Sequence, residues 1–265
     1  MEIIVLETYY ELSRVAAEIV AESIRQAKKA VLGLATGSTP IGLYKELIAR
    51  YQQEEIDFSD VVAFNLDEYV GLEPQHPQSY HYFMEKHLFG QINIPTEQRY
   101  IPPSDLSDLQ AIQRFCQWYE DEIQRHGGID LQVLGIGVDG HIGFNESSSS
   151  LTSRTRLKTL AQSTVEANAK FFDKNIALVP KLSITMGVGT IMEAKRCLLL
   201  ANGERKAEAV ANAIEGPITA SVPASILQMH PNTTVLLDNS AAQRLERLDY
   251  YKWVYQSKQQ LESQL

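Results

Sequence analysis

The alternation of short apolar segments with longer helical segments is the feature that most constrains the fold of this chain. Six segments are apolar enough to form buried strands, at positions 3–6, 30–35, 61–66, 129–137, 196–201 and 233–237. Helical spacing of apolar residues follows them, from Leu12 onward, over 41–51, after Ser79, over 109–125 and from about Glu204. Strands separated by helices of this length form parallel sheets through right-handed crossovers. The pattern therefore predicts an α/β fold with a mostly parallel sheet and helices on both of its faces.

Apolar segments continue over all 265 residues without an internal repeat, a low-complexity stretch or a long linker. A single domain over residues 1–265 is therefore predicted, although the length alone also allows two small domains. Thr8 and Glu11 have the spacing of a capping box at the start of the first helix. No apolar run reaches the roughly 18 residues of a membrane span, and this pattern is typical of a soluble globular protein.

The charge of the chain argues against nucleic acid or a membrane as a partner. With 33 acidic and 24 basic residues, the formal charge is −9, which repels both kinds of polyanion. An anionic ligand would need a locally basic pocket. Glu2 and Glu7 flank the first apolar run, which is unlike a secretory signal, so a cytoplasmic location is expected. Cys116 and Cys197 lie in apolar segments and are expected to be buried and reduced.

Ligands of parallel sheets bind at the carboxyl ends of the strands, and three unusual clusters fall there. The first is LATGSTP at positions 34–40, a strand that turns into a helix. Backbone N–H groups at the helix start, together with the residues Thr36, Gly37, Ser38 and Thr39, can bind a phosphate. The glycine and lysine spacing of a P-loop is absent. An ordinary strand-to-helix turn with hydroxyl caps remains the alternative.

The second cluster is FNLDEYVG at positions 64–71, where a predicted strand ends in two adjacent carboxylates, Asp67 and Glu68. Aromatic and apolar neighbours would desolvate a carboxylate and raise its pKa, as a general base at neutral pH requires. The alternative is that these acidic residues cap the next turn or pair with a basic neighbour.

The third cluster is LGIGVDGHIGFNE at positions 134–146, in which a glycine-rich loop carries Asp139, His141 and Glu146. A histidine held between carboxylates can transfer protons near pH 7. A metal site is a weaker interpretation because the loop has one histidine and no cysteine. The dinucleotide-binding fingerprint is weaker still, because no third glycine opens a helix and no acidic residue follows at the required distance.

At these three clusters the sequence resembles the glucosamine-6-phosphate deaminase family. The resemblance continues through SYHYFM at 79–84, SRTRLKTL at 153–160, ANAKFF at 167–172, TMGVGT at 185–190 and GERKA at 203–207, so it covers nearly the whole chain. Members of the family convert glucosamine 6-phosphate and water to fructose 6-phosphate and ammonia in amino-sugar metabolism. The resemblance implies a single-domain, modified Rossmann-like fold, a small sugar phosphate as ligand, and neither a metal nor an organic cofactor.

The resemblance also implies roles for individual residues. Asp67 would move a proton between C2 and C1 of the sugar, and His141 would act at the ring oxygen during ring opening. Asp139 and Glu146 would orient and tune His141. Substrate-binding residues would be Thr36, Gly37, Ser38, Thr39, Glu68, Lys170 and Lys206. Three positions depart from the family's usual residues: Lys170 replaces an arginine, Val138 a polar residue, and Ser147 a proline.

A second phosphate site is implied by relatives that N-acetylglucosamine 6-phosphate regulates. The matching positions are Ser149, Arg156, Lys158 and Thr159. From the residues alone, 153–159 alternates like an exposed strand. Allosteric coupling needs two global states, on which the sequence does not report. The family contains hexamers and smaller forms, so a homo-oligomer is possible.

Two other functions compete with the deaminase. A 6-phosphogluconolactonase would share the fold, the phosphate turn and the Asp-Gly-His loop, but it would hydrolyse a lactone. A sugar-phosphate sensor of the same fold would bind its ligand without turnover. The sequence favours the deaminase because Asp67, His141 and Glu146 are all present and no DNA-binding segment is appended.

Overall fold

The computed structural model describes residues 1–105, 108–262 and 264. The single-domain prediction for residues 1–265 includes four positions outside this range and stays a prediction. Within the described residues, no helix combines the length and the apolar character needed to cross a membrane.

Ten strands are present in the described residues. They are β1 (Glu2–Leu6), β2 (Val31–Leu34), β3 (Val62–Asn65), β4 (Asp67–Val70), β5 (Arg99–Tyr100), β6 (Leu131–Gly135), β7 (Arg156–Thr159), β8 (Leu182–Thr185), β9 (Cys197–Ala201) and β10 (Thr233–Asp238).

Nine α-helices are present in the same part of the chain. They are α1 (Tyr9–Gln26), α2 (Ile41–Gln52), α3 (Tyr80–His87), α4 (Leu109–Arg125), α5 (Gln162–Asn168), α6 (Val188–Met192), α7 (Ala207–Ile214), α8 (Asn239–Ala242) and α9 (Leu248–Glu262). A 3₁₀ turn over Glu204–Lys206 precedes α7, so the α-helix predicted from about Glu204 begins three residues later.

Seven strands form one sheet in the order β1-β10-β9-β6-β2-β3-β5, and every neighbouring pair is parallel. The prediction of an α/β fold with a mostly parallel sheet is therefore confirmed. The strands that follow β2 in this sheet, β3 and β5, lie on one side of it. The strands that follow β6, which are β9 and β10, lie on the other side, so the direction of strand addition reverses. This reversal lies between β2 and β6, and ligands of open parallel sheets bind in the crevice at such a point. The first and third sequence clusters directly follow these two strands.

The first helix begins where the sequence predicts. The side chain of Thr8 accepts the N–H of Glu11, and the Glu11 carboxylate accepts the N–H of Thr8 in return. This capping box satisfies two backbone donors and fixes Tyr9 as the first residue of α1. The buried stripe of α1, which includes Leu12, Ala16 and Val20, packs into the main core.

A second sheet of three antiparallel strands, in the order β4-β8-β7, is absent from the sequence predictions. Only Leu66 separates the end of β3 from its strand β4, which begins at Asp67, so the acidic pair lies within a strand rather than at a turn. In the register of this sheet, Asp67 lies opposite Thr185. The small sheet thus gives the second cluster a fixed backbone at the carboxyl edge of the main sheet.

Candidate active site

The turn after β2 has the conformation that a glycine permits and a strand-to-helix junction needs. Gly37 has a φ of 98°, in the left-handed region that favours glycine. Gly37 and Ser38 are exposed, and Thr36 and Thr39 are half-buried, so this turn presents polar groups at the surface. The hydroxyl of Thr39 donates to Oδ1 of Asn202 at 2.9 Å. Asn202 therefore joins the turn to the segment that carries Lys206, a connection that no sequence motif indicated.

The Asp67 carboxyl group is buried, with only 6% of the residue exposed. Burial, and then repulsion by Glu68, raises its pKa from 3.8 to about 8, while the backbone N–H of Phe144 lowers it. The prediction that desolvation raises this pKa is confirmed. A carboxyl group with a pKa near 8 is ionised in part of the molecules at neutral pH and accepts a proton readily.

Asp67 lies against the third cluster. A side chain added to Gly143 would come within 3.3 Å of Oδ2 of Asp67 and 2.9 Å of Oγ1 of Thr185. That hydroxyl accepts the backbone N–H of Phe144 at 3.1 Å. The glycine therefore lets the loop approach the acid closely, and the structure brings the second and third clusters together.

Glu68 is fully buried and caps a helix. Its carboxylate accepts the backbone N–H groups of Tyr69 and Tyr80 at 2.7 Å and of His81 at 3.0 Å, and Nδ1 of His81 lies 3.0 Å away. A carboxylate at the start of α3 is stabilised by these free amides and by the helix dipole. The structure does not bring this carboxylate to the accessible surface of the site, and its part in substrate binding stays a prediction.

His141 and Asp139 form the accessible end of the third cluster. Nδ1 of His141 lies 2.6 Å from Oδ1 of Asp139, and contact with His141 lowers the pKa of Asp139 to about 2. The imidazole packs against Gly137, where a side chain would come within 2.2 Å of the ring. Only a glycine leaves room for the imidazole at this position. Asp139 therefore remains ionised at neutral pH beside an imidazole whose position the backbone fixes.

Glu146 is the buried end of the same loop. Its Oε2 accepts the N–H of Ala161 at 2.6 Å. The neighbouring Asn145 donates to the carbonyl oxygens of Ile142 and Met186 at 2.9 and 2.8 Å, which fastens the loop to the end of β8. The structure thus joins Asp139 directly to His141 and places Glu146 beside the start of α5.

Lys206 brings positive charge to the carboxyl edge. Burial lowers its pKa, Asp139 raises it and Lys170 lowers it, so Asp139 and Lys170 both lie within electrostatic range of Lys206. The turn before Lys206 is anchored at Gly203, whose φ is 84° and whose N–H lies 3.0 Å from both carboxylate oxygens of Asp238. Lys170 is exposed, with its Nζ 4.7 Å from the centre of the Phe171 ring.

The residues predicted for a second phosphate have unequal environments. Ser149 is buried, Arg156 and Lys158 are half-buried on β7, and Thr159 is exposed. The Arg156 guanidinium donates to Oδ1 of Asn145 at 2.9 Å, so it already contacts the third cluster. The prediction of an exposed strand over 153–159 is correct only in part. A strand is present as β7, which pairs with β8, but only one of its four residues is exposed. Effector binding stays a prediction.

Val138 and Ser147, where the chain departs from the family's usual residues, are both exposed. Cys116 and Cys197 are buried free thiols, as predicted. Among residues 1–105, 108–262 and 264, no group of three or more histidine, cysteine or acidic side chains is arranged to hold a metal ion.

The raised pKa of Asp67 predicts a pH-dependent cost to stability. The folded protein retains this proton up to about pH 8, whereas the unfolded chain releases it near 3.8. Stability contributed by Asp67 is therefore lost as the pH rises between these values. We expect Asp67→Asn to raise the midpoint of thermal unfolding by at least about 4 °C at pH about 9, since 1 kcal/mol corresponds to roughly 2 to 4 °C.

The advantage of Asp67→Asn over the wild type should widen across this pH range and then remain constant. The measurement is differential scanning calorimetry at several pH values, with Asp60→Asn, at an exposed position, as the matched control. An advantage that is independent of pH would show that the Asp67 carboxyl group is not buried as described.

Comparison with known proteins shows the family of this chain. Residues 7–236 match the family described as glucosamine-6-phosphate isomerases/6-phosphogluconolactonase. The chain belongs to this family. It is 53% identical over 251 residues to glucosamine-6-phosphate deaminase 2 of Bacillus subtilis (strain 168), covering 94% of the chain and 100% of that protein. It is 51% identical to the glucosamine-6-phosphate deaminase of Thermoanaerobacter pseudethanolicus, covering 91% and 94%.

Solved structures of the isomerase and lactonase family share the fold. One described as a monomeric glucosamine-6-phosphate deaminase superposes with a TM-score of 0.88 at 45% identity, covering 92% of this chain and 100% of that chain. The 6-phosphogluconolactonase from Trypanosoma cruzi superposes with a TM-score of 0.73 at 21% identity, covering 92% and 97%. The second likeness concerns the fold alone.

Proposed function

We propose that this protein is a glucosamine-6-phosphate deaminase, which converts glucosamine 6-phosphate and water to fructose 6-phosphate and ammonia. The observation that carries the proposal is the buried Asp67, whose pKa is raised to about 8 where it lies against the loop of Asp139 and His141. Aldose–ketose isomerisation requires a base that takes a weakly acidic proton from carbon, and such a base needs a raised pKa.

In the proposed reaction, His141 passes a proton to the ring oxygen as the sugar ring opens, and Asp139 keeps the imidazole oriented. Asp67 then takes the proton from C2 of the open-chain aldehyde, which becomes an enolamine as its C1 oxygen gains a proton. Asp67 returns its proton at C1 as the amino group at C2 loses one. The C2 imine formed in this way adds water and releases ammonia, which leaves the ketone of fructose 6-phosphate. Glu146 supports the loop that holds His141.

The phosphate of the substrate would bind at Thr36, Gly37, Ser38 and Thr39. The backbone amides and hydroxyls of this turn can bind an anion although they carry no net charge. Lys206 supplies a local positive charge in a protein whose formal charge is −9. Lys170, on the exposed segment after α5, would close on the same phosphate. The electrostatic coupling of Lys170 to Lys206 supports this arrangement.

The direct test supplies the purified protein with glucosamine 6-phosphate and, separately, with 6-phosphogluconolactone. We expect one ammonia and one fructose 6-phosphate for each substrate consumed, and lactone hydrolysis at the uncatalysed rate. Rapid lactone hydrolysis without ammonia release would make the protein a lactonase. Tight binding of glucosamine 6-phosphate without turnover would make it a sensor.

Activity should not depend on a metal ion. The proposed chemistry needs only proton transfer, Asp139 is paired with His141, and one carboxylate oxygen of Glu146 accepts a backbone N–H. We expect full turnover after EDTA treatment and exhaustive dialysis, measured as ammonia release with a buffer-treated sample as control. Loss of turnover on chelation that returns with stoichiometric zinc or iron would contradict the roles of Asp139, His141 and Glu146.

Three further features belong to the same proposal. The protein would act in the cytoplasm, in agreement with its two buried free thiols. N-acetylglucosamine 6-phosphate would bind at Ser149, Arg156, Lys158 and Thr159, and a homo-oligomer is possible although one similar deaminase is described as monomeric. Sedimentation velocity with and without that sugar phosphate tests both the assembly and the effector.

A further inference from the structure

The phosphate turn is held from behind by a tyrosine of the first helix. The hydroxyl of Tyr9 donates to the carbonyl oxygen of Thr39 at 2.8 Å, and the carbonyl oxygen of Ser38 lies 3.2 Å away. The same hydroxyl accepts the N–H of Gly42 at 2.8 Å. One side chain thus contacts both the turn and the first turn of helix α2.

These contacts replace a cap that α2 lacks. Pro40, at the N-cap position, has no side-chain hydrogen bond to the helix. Gly42 is one of the residues whose N–H finds no carbonyl partner within a helix, and the Tyr9 hydroxyl fills that role. The hydroxyl also holds the carbonyl oxygens of Ser38 and Thr39 on its own side of the turn. These oxygens carry partial negative charge and would repel a phosphate if they faced it. Tyr9 therefore influences which polar groups the turn can offer to an anion.

The position of Tyr9 is itself fixed by the sequence around it. The capping box of Thr8 and Glu11 places Tyr9 in the first turn of α1. Gly42 permits the approach of the two helices, because a side chain there would come within 2.9 Å of the Tyr9 hydroxyl and 2.1 Å of Oγ of Ser13. The contact is therefore built from both helices.

From this geometry we infer that Tyr9 is a positioning residue for phosphate recognition: its hydroxyl holds the 36–40 turn in the conformation that binds the phosphate of the substrate. The inference rests on the proposed function for the identity of the sugar phosphate. It assigns Tyr9 no contact with the reacting atoms. Its loss should therefore weaken binding and leave the chemical step unchanged.

The test compares Tyr9→Phe with two controls. Tyr10→Phe changes an adjacent tyrosine that is 62% exposed, and Ser13→Ala removes a hydroxyl bonded to the same helix turn but to no carbonyl or amide of the phosphate turn. We expect Tyr9→Phe to raise KM for glucosamine 6-phosphate and the inhibition constant of inorganic phosphate by about three- to tenfold, with kcat unchanged, as for one lost neutral hydrogen bond. The controls should leave both constants near the wild-type values.

Two results would overturn the inference. One is an unchanged or lowered KM in Tyr9→Phe, since a Gly42 N–H released from the hydroxyl would then serve the phosphate equally well. The other is an equal rise of KM in Ser13→Ala, which would indicate general loosening of α1. Protection of each variant against thermal unfolding by inorganic phosphate gives the same comparison without turnover. It therefore tests Tyr9 even if glucosamine 6-phosphate proves not to be the substrate.

Discussion

Replacement of Asp67 by asparagine is expected to lower kcat by about 100-fold or more, the usual contribution of a general base. The amide keeps the shape of the side chain but cannot accept the C2 proton. Binding of the sugar phosphate should remain near the wild-type level, because the Thr36–Thr39 turn and Lys206 are unchanged. The measurements are steady-state kinetics with glucosamine 6-phosphate and inhibition by inorganic phosphate.

The control for this variant is Asp60→Asn, which removes an exposed carboxylate seven positions earlier, just before strand β3. It should leave kcat and KM unchanged. If Asp67→Asn retains most of the wild-type rate while folded, then another group is the base, and the nearest carboxylate in sequence is Glu68. That outcome would also require Glu68 to leave its backbone partners at the start of α3.

Removal of Lys206 is expected to weaken substrate binding by a large factor. A charge-assisted contact to phosphate contributes roughly 1.5 to 3 kcal/mol, so Lys206→Ala should raise KM by about ten- to a hundredfold with a smaller change in kcat. The half-buried setting of the ammonium group, which lowers its pKa, favours a contact that water does not screen fully. Steady-state kinetics and inhibition by inorganic phosphate measure the effect.

Arg205→Ala is the matched control for Lys206→Ala, because it removes an exposed positive charge from the adjacent position. It should change KM little. Lys170→Ala should do less harm than Lys206→Ala, since Lys170 is exposed, and Lys170→Arg should lower KM because a guanidinium can hold two phosphate oxygens. If Lys206→Ala leaves KM and phosphate inhibition unchanged, the proposed orientation of the substrate is wrong and both lysines lose their roles.

The sequence located the edge of the sheet on which the site lies. Apolar strands alternating with helices imply a parallel sheet, and in a parallel sheet every carboxyl end meets at one edge. The 34–40 turn and the 134–146 loop therefore had to lie near each other once β2 and β6 became neighbours. The capping box of Thr8 and Glu11 is equally local, since it depends on residues three positions apart.

The contacts that adjust the site depend on residues far apart in sequence, and they could not be predicted in this way. Asp67 lies opposite Thr185 in a short antiparallel sheet, and four-residue strands give too weak a pattern to reveal such a pairing. The bond from Thr39 to Asn202 joins segments 163 positions apart. The sequence also did not decide whether Glu68 is buried at the start of α3. A carboxylate near a strand end can either face a ligand or cap a helix.

The central claim, that Asp67 carries the proton between C2 and C1, is tested most directly by deuterium incorporation. Glucosamine 6-phosphate is incubated in D₂O with wild-type protein or with Asp67→Asn, and the recovered substrate and product are examined by NMR spectroscopy. We predict deuterium at C2 of the substrate or C1 of fructose 6-phosphate with the wild type, and none above the background with Asp67→Asn. Incorporation at a near-normal rate in the folded variant would contradict the account.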